Sequence, residues 1–128
     1  MSNFEFNPKG SVIVVPAILR NNRLSFYSKM VLDTGATYTM ISWEIAEHLG
    51  FKFGDKLKTV PLNTASGEIR APLMKMQEVS TLGISAKNIE VIVHNLPTSA
   101  RVDGLLGLSF IRNFNLNIDF KKGFLEFS

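Results

Sequence analysis

Asp33, Thr34, Gly35 and Ala36 directly follow the apolar pair Val31-Leu32. An acid at the end of an apolar run is costly to bury unless something pairs with it. Thr34 adds a hydroxyl able to bridge to neighbouring backbone. Gly35 has no Cβ, so another chain or a ligand can approach its backbone closely. The tripeptide is therefore suited to hold a carboxylate at the floor of a cleft, where it is available for general acid–base chemistry. The same residue types also favour plain turns. From average composition, a chain of this length carries the tripeptide by chance in about 3% of cases, so its meaning depends on its surroundings.

Other chemistries find little support. Asp103 and Asp119 lack the Thr-Gly sequel that follows Asp33. His48 and His94 stand apart from each other and from any acidic cluster at ligand spacing, and the chain has no cysteine. No metal site, disulfide or cofactor is expected. The net charge is +3, and Lys121-Lys122 is the sole adjacent basic pair. Without a dense basic stripe, no nucleic-acid partner is expected.

The 128 residues suit one domain, taken as 1–128, with a single hydrophobic core. Apolar residues make up 45% and charged residues 20%, as in ordinary soluble proteins. The longest apolar run, residues 12–19, is too short to span a bilayer and contains Pro16. It also lacks a basic leader and a small-residue cleavage site, so no signal peptide is expected. The segment is expected to be soluble and not to insert into a membrane. Its compartment stays open between bacterial cytoplasm and periplasm, as does release from a membrane-anchored protein.

The elements that must position Asp33 read as mostly β. Val12 to Val15 predict a strand, Asn21-Asn22-Arg23 a turn, and Leu24 to Leu32 a second strand running straight into Asp33. Leu24, Phe26, Met30 and Leu32 share one parity. One helix is well signalled. Ser42 is placed to cap it, Glu44 lies in its first turn, Ile45 and Leu49 are spaced i, i+4, and Gly50 suits the left-handed closing position. Further strands are predicted at 57–62, 68–79, 89–94, 116–120 and 124–127. Asn63 to Gly67 form a polar turn between two of them. Ser109 is expected to cap a short second helix through Asn113. Short strands separated by regular turns imply a closed or sandwiched β architecture.

The second informative segment is Asp103-Gly104-Leu105-Leu106-Gly107-Leu108-Ser109-Phe110-Ile111, two leucines and a glycine ahead of a short helix. With Asp33-Thr34-Gly35-Ala36, and the hairpin around Asn63 to Glu68 between them, it resembles the retropepsin-like aspartic proteases over roughly residues 11 to 127. Thr37, Tyr38, Leu108 and Ser109 stand where viral members carry charged or amide residues. The likeness is therefore to the bacterial and cellular branch.

The resemblance implies a single-domain, acid-protease-like closed β-barrel with one or two short helices and a β-hairpin flap. It implies an aspartic endopeptidase in which two carboxylates share one proton across a bound water. Two adjacent like charges do not readily both ionise, so such a pair titrates as a unit. One motif per chain means that the second carboxylate comes from Asp33 of a partner across a twofold axis, in a homodimer acting on peptide or protein substrates. On this reading Thr34 locks the two loops together, Gly35 offers a carbonyl to substrate and Ala36 lines the floor. Asn63, Thr64, Ala65, Ser66 and Gly67 form the flap. Leu105, Leu106 and Gly107 form pocket walls, although simple core packing explains the leucines equally well. Phe124, Leu125 and Phe127 are candidates for the dimer interface, with the alternating stretch Asn3 to Asn7 as a further one. The alternatives are a non-catalytic module of the same fold that dimerises or binds peptides, and a β-barrel with an incidental acidic turn.

Overall fold

A computed structural model describes residues 3–128. The first hairpin forms where the Asn pair suggested. Strand β2 (Val14–Asn21) pairs antiparallel with β3 (Leu24–Leu32), and Asn22 takes the left-handed conformation (φ 55°) at the turn. Ser28 and Met30 on β3 are buried, so the parity read from Leu24, Phe26, Met30 and Leu32 is the core-facing one.

Strand β4 (Thr39–Ile41) then enters helix α1 (Trp43–His48). The Ser42 hydroxyl accepts the Ile45 N–H at 3.2 Å, and Gly50 (φ 76°) closes the helix. Ile45, Ala46 and Leu49 bury one face of this turn in the core. A second hairpin follows, β5 (Thr59–Thr64) with the long β6 (Gly67–Thr81). The strand expected at 89–94 starts earlier, as β7 (Ile84–Val93). The reason is local: Leu82 (φ 47°) and Gly83 (φ 84°) reverse the chain in a two-residue turn straight from β6.

The chain returns through β8 (Gly104–Leu106), α2 (Leu108–Ile111), β9 (Leu116–Asp119) and β10 (Phe124–Phe127). A short strand β1 (Phe4–Glu5) precedes everything else described. Strands β4 and β8 are additions to the sequence expectation. The predicted capping of α2 by Ser109 is corrected: Gly107 occupies the cap position without a side-chain bond, and the Ser109 hydroxyl is engaged elsewhere.

The main sheet runs β2-β3-β8-β4-β7-β6-β5. Pairing of β2 with β6 at Leu19–Val79 closes the first six of these strands into a barrel, leaving β5 outside as one arm of a projecting hairpin. The barrel is filled by Val15, Leu19, Met30, Val79, Leu106 and Phe110. A second, smaller apolar cluster of Met40, Ala71 and Ile92 lies towards the hairpin and is lined by partly exposed side chains.

A three-stranded sheet, β1-β10-β9, covers one end. Both edges of β10 are therefore taken within the chain. Leu125 and Phe127, expected at an intersubunit surface, spend their side chains inside their own core, each 1% exposed. Phe124 alone of the three presents its ring outward. Among the described residues, no helix is long and apolar enough to cross a membrane.

Candidate active site

Strand β8 lies between β3, to which it is parallel, and β4, to which it is antiparallel. This insertion brings Leu105-Leu106-Gly107 beside the loop that starts at Asp33. The Asp33 N–H donates to the Leu106 carbonyl at 3.0 Å, extending the β3–β8 ladder by one residue. Beyond that bond the chain turns, and the Ala36 N–H donates back to the Asp33 carbonyl at 3.3 Å.

The loop is then gripped from behind. Leu108 and Ser109, the first residues of α2, donate their N–H groups to the carbonyls of Ala36 and Thr37 at 2.8 and 3.0 Å. Gly107 must be glycine here, because a Cβ would run into the carbonyl oxygen of Tyr38. Gly104 is held likewise against the carbonyl of Met40. Buried Thr39 completes the attachment: its hydroxyl accepts the Gly107 N–H at 3.2 Å and shares a 3.0 Å hydrogen bond with the Ser109 hydroxyl. Ser109 in turn donates to the Glu90 carbonyl at 2.8 Å. Sequence reasoning missed Thr39. Its signal was a polar, β-branched residue between Tyr38 and Met40, where a short strand was not expected.

Within this frame Asp33 is half-buried, and its Oδ1 accepts the Gly35 N–H at 2.9 Å. That single bond orients the carboxylate and leaves acceptor capacity on it. Thr34 is exposed, and its hydroxyl has no partner among the described residues. The other two aspartates considered have structural tasks. Asp103 accepts the Lys29 N–H at 2.8 Å, and Asp119 accepts the Lys122 N–H at 2.9 Å in a turn. Asp33 is thus the one of the three that sits on the loop between β3 and β4, with Gly35 and Ala36 directly after it.

Two recesses flank the loop. A groove of about 330 Å³ holds Asp33 itself, with Val31, Leu32, Val12, Phe6 and Phe120 along its walls. A cavity of about 430 Å³ lies on the other side, beneath the β5–β6 hairpin. Gly35 and Ala36 line it from the loop, Leu105 from β8, and Asn63 and Thr64 from the hairpin. The hairpin expected as a flap therefore overhangs the Asp33 loop. Ala65, Ser66 and Gly67 form its exposed tip, where the Thr64 hydroxyl donates to the Gly67 carbonyl at 2.7 Å and accepts the Ser66 N–H at 3.2 Å. Arg70 braces the stem by donating to the Thr59 hydroxyl and carbonyl. Of the expected pocket residues, Leu105 lines the cavity, whereas Leu106 is fully buried in the barrel and Gly107 serves close packing.

Residues 16–110, which carry the Asp33 loop, the flap and β8, match the sequence profile of the aspartyl protease family. The chain belongs to that family. Its fold is retropepsin-like: it superposes on the crystal structure of a retropepsin-like aspartic protease from Rickettsia conorii with a TM-score of 0.70 and 29% sequence identity, covering 98% of this chain and 88% of that one. A curated relative, an uncharacterized protein in the cobV 5′ region of Sinorhizobium sp., is 31% identical over 88 residues. That match covers 68% of this chain and 36% of the relative, so the chain spans about a third of the relative's length.

Proposed function

We propose that the protein is an aspartic endopeptidase, active as a homodimer in which Asp33 of each subunit supplies one of two catalytic carboxylates. The observation that carries this reading is Asp33 itself: a half-buried carboxylate in a groove, oriented by one short local bond, at the start of the loop whose Gly35 and Ala36 line the cavity beneath the hairpin.

One ionised Asp33 takes a proton from a water held between the pair, and the water oxygen attacks the scissile carbonyl carbon. Asp33 of the partner subunit, protonated, donates to the carbonyl oxygen, giving a neutral gem-diol. Collapse of the gem-diol breaks the C–N bond, and the leaving nitrogen takes the proton first removed from water. The flap hairpin closes over the peptide and excludes solvent, and its backbone meets an extended substrate as one strand meets another.

The loop supports a meeting of two copies. The exposed Thr34 hydroxyl is available to a partner's backbone, and Gly35 is exposed beside it. Val12 (53% exposed) and Phe120 (61% exposed) flank Asp33 in its groove and give an apolar surface that a second copy would cover. Phe124 offers a further outward ring, with Leu125 and Phe127 anchoring its strand from behind.

Cleavage of a peptide library across pH by wild type, its loss in Asp33→Asn, and its block by a statine-type inhibitor are the expected results. A chain that remains monomeric at every concentration by sedimentation would overturn the dyad and the mechanism built on it.

A further inference from the structure

The cavity beneath the flap holds two half-buried polar side chains, His94 and Tyr38, that have no side-chain partner among the described residues. His94 follows β7, and its backbone N–H is used on the Ile41 carbonyl at 3.0 Å. Its ring makes no hydrogen bond, ion pair or ring contact among the described residues, although it is half-buried in the cavity wall. Tyr38, two residues beyond Ala36, the expected floor of the loop, also lines the cavity, and its phenol has no partner among the described residues. The remaining lining is largely apolar, with Met40, Ile92, Leu62 and Leu105 drawn from the smaller hydrophobic cluster. That cluster is open on the flap side, so an apolar ligand group entering there would complete it. None of the residues lining the cavity is acidic, and Asp33 lines the separate groove on the other side of its loop.

We infer that His94, together with Tyr38, selects the substrate side chain that enters this cavity, and that the favoured residue is glutamate. Its two methylenes pack on Met40 and Ile92, and its two carboxylate oxygens accept hydrogen bonds from the imidazole and the phenol. Leucine fills the same apolar floor but leaves both polar groups desolvated without a partner, which disfavours it. His94 is thereby a specificity residue that meets the substrate away from the scissile bond. This inference rests on the endopeptidase reading, because it takes the cavity as part of a peptide-binding cleft.

The experiment uses statine-centred peptides in which each of the two residues on either side of the statine is in turn glutamate or leucine. Binding is titrated by calorimetry against wild type, His94→Leu and His94→Gln. At one position the glutamate peptide is expected to bind about ten-fold tighter than its leucine counterpart. His94→Leu should reduce that ratio to within about two-fold, and His94→Gln, which keeps a donor, should retain most of it. A loss of folding alone would weaken both peptides together and leave the ratio unchanged. An unchanged ratio in His94→Leu, or no glutamate preference at any position in wild type, overturns the inference. If wild type still cleaves a peptide library under those outcomes, the endopeptidase reading stands without it. Absence of both binding and cleavage overturns the two together.

Discussion

The Gly107 backbone N–H donates to the Thr39 hydroxyl, 3.2 Å away, joining the end of β8 to the strand that leaves the Asp33 loop. With the Ser109 hydroxyl 3.0 Å from the same oxygen, one buried side chain serves both the segment behind the loop and the helix that grips it. Thr39→Val keeps the shape but removes the acceptor. It is expected to lower stability by about 1–3 kcal/mol, because the buried Gly107 N–H would lose its acceptor. Thr39→Ser should recover most of the loss. Urea unfolding of the three proteins checks both statements, and a Thr39→Val protein as stable as wild type would contradict the role given to this hydroxyl.

Asp33→Asn should leave the fold in place. The carboxylate accepts one local hydrogen bond, from the Gly35 N–H, and an amide oxygen can accept it equally well. The midpoint of thermal unfolding is expected to stay within a few degrees of wild type. Peptide cleavage should fall by about 10²-fold or more, since an amide cannot take up the proton of the water. Thermal melts run beside a fluorogenic-peptide assay separate the two effects. Residual cleavage at wild-type rate would place the reaction elsewhere.

Assembly should govern activity. If Asp33 meets its copy across a twofold axis, specific activity should rise with protein concentration, in step with the dimer fraction from sedimentation. Phe120 is 61% exposed in the groove beside Asp33. Phe120→Lys is expected to lower both the dimer fraction and the activity while costing the monomer no more than about 1.5 kcal/mol, the worth of its edge-on contact with the Phe6 ring. Full activity at concentrations where the protein is entirely monomeric would be incompatible with the shared dyad.

The last strand separates two neighbouring aromatics. Phe127 is fully enclosed by Phe110 and Phe114, with ring centroids 6.1 and 5.9 Å away, whereas Phe124 is 39% exposed. Phe127→Ala should cost about 3–5 kcal/mol of monomer stability. Phe124→Ala should cost far less and show its effect, if any, on association. Chemical denaturation at low protein concentration reads the first effect, and sedimentation reads the second.

Close packing behind the loop gives a further prediction. Gly107→Ala places a methyl against the Tyr38 carbonyl, where backbone rather than a flexible side-chain end must move. A destabilisation of about 3 kcal/mol is expected from such overpacking. Activity should be lost even in folded protein, because the Ala36 and Thr37 carbonyls would shift with the helix that holds them. Crystal or solution structures of the variant, together with its unfolding curve, test this.

Features governed by neighbours in sequence were legible before the fold. The β2–β3 turn at Asn22, the Ser42 cap and the Gly50 stop of α1 depend on backbone conformations that nearby residues set. The alternation in Phe124-Leu125-Glu126-Phe127 also carried a signal, because Glu126 marks its own face as outward and so assigns Leu125 and Phe127 to the core. Ser109 misled for the opposite reason. It sits where a cap belongs, yet its hydroxyl is drawn to Thr39 and Glu90 by strands remote in sequence. Strands β4 and β8, three residues each, have too few residues to show a period of two and exist through pairing with β3, β7 and each other.

By itself the sequence determined the chemistry on offer: one Asp-Thr-Gly per chain, a glycine-bounded leucine pair, and a polar hairpin between them in order. It did so because residue type and local turn preference are encoded within a few positions. Only the tertiary structure decided how these parts meet. Insertion of β8 between β3 and β4 set Leu105 beside the Asp33 loop, barrel closure swung the β5–β6 hairpin over it, and the same closure put His94 and Tyr38 on one cavity. Those relationships depend on pairing between distant strands, whose partners are chosen by the burial of the whole core and not by any segment alone.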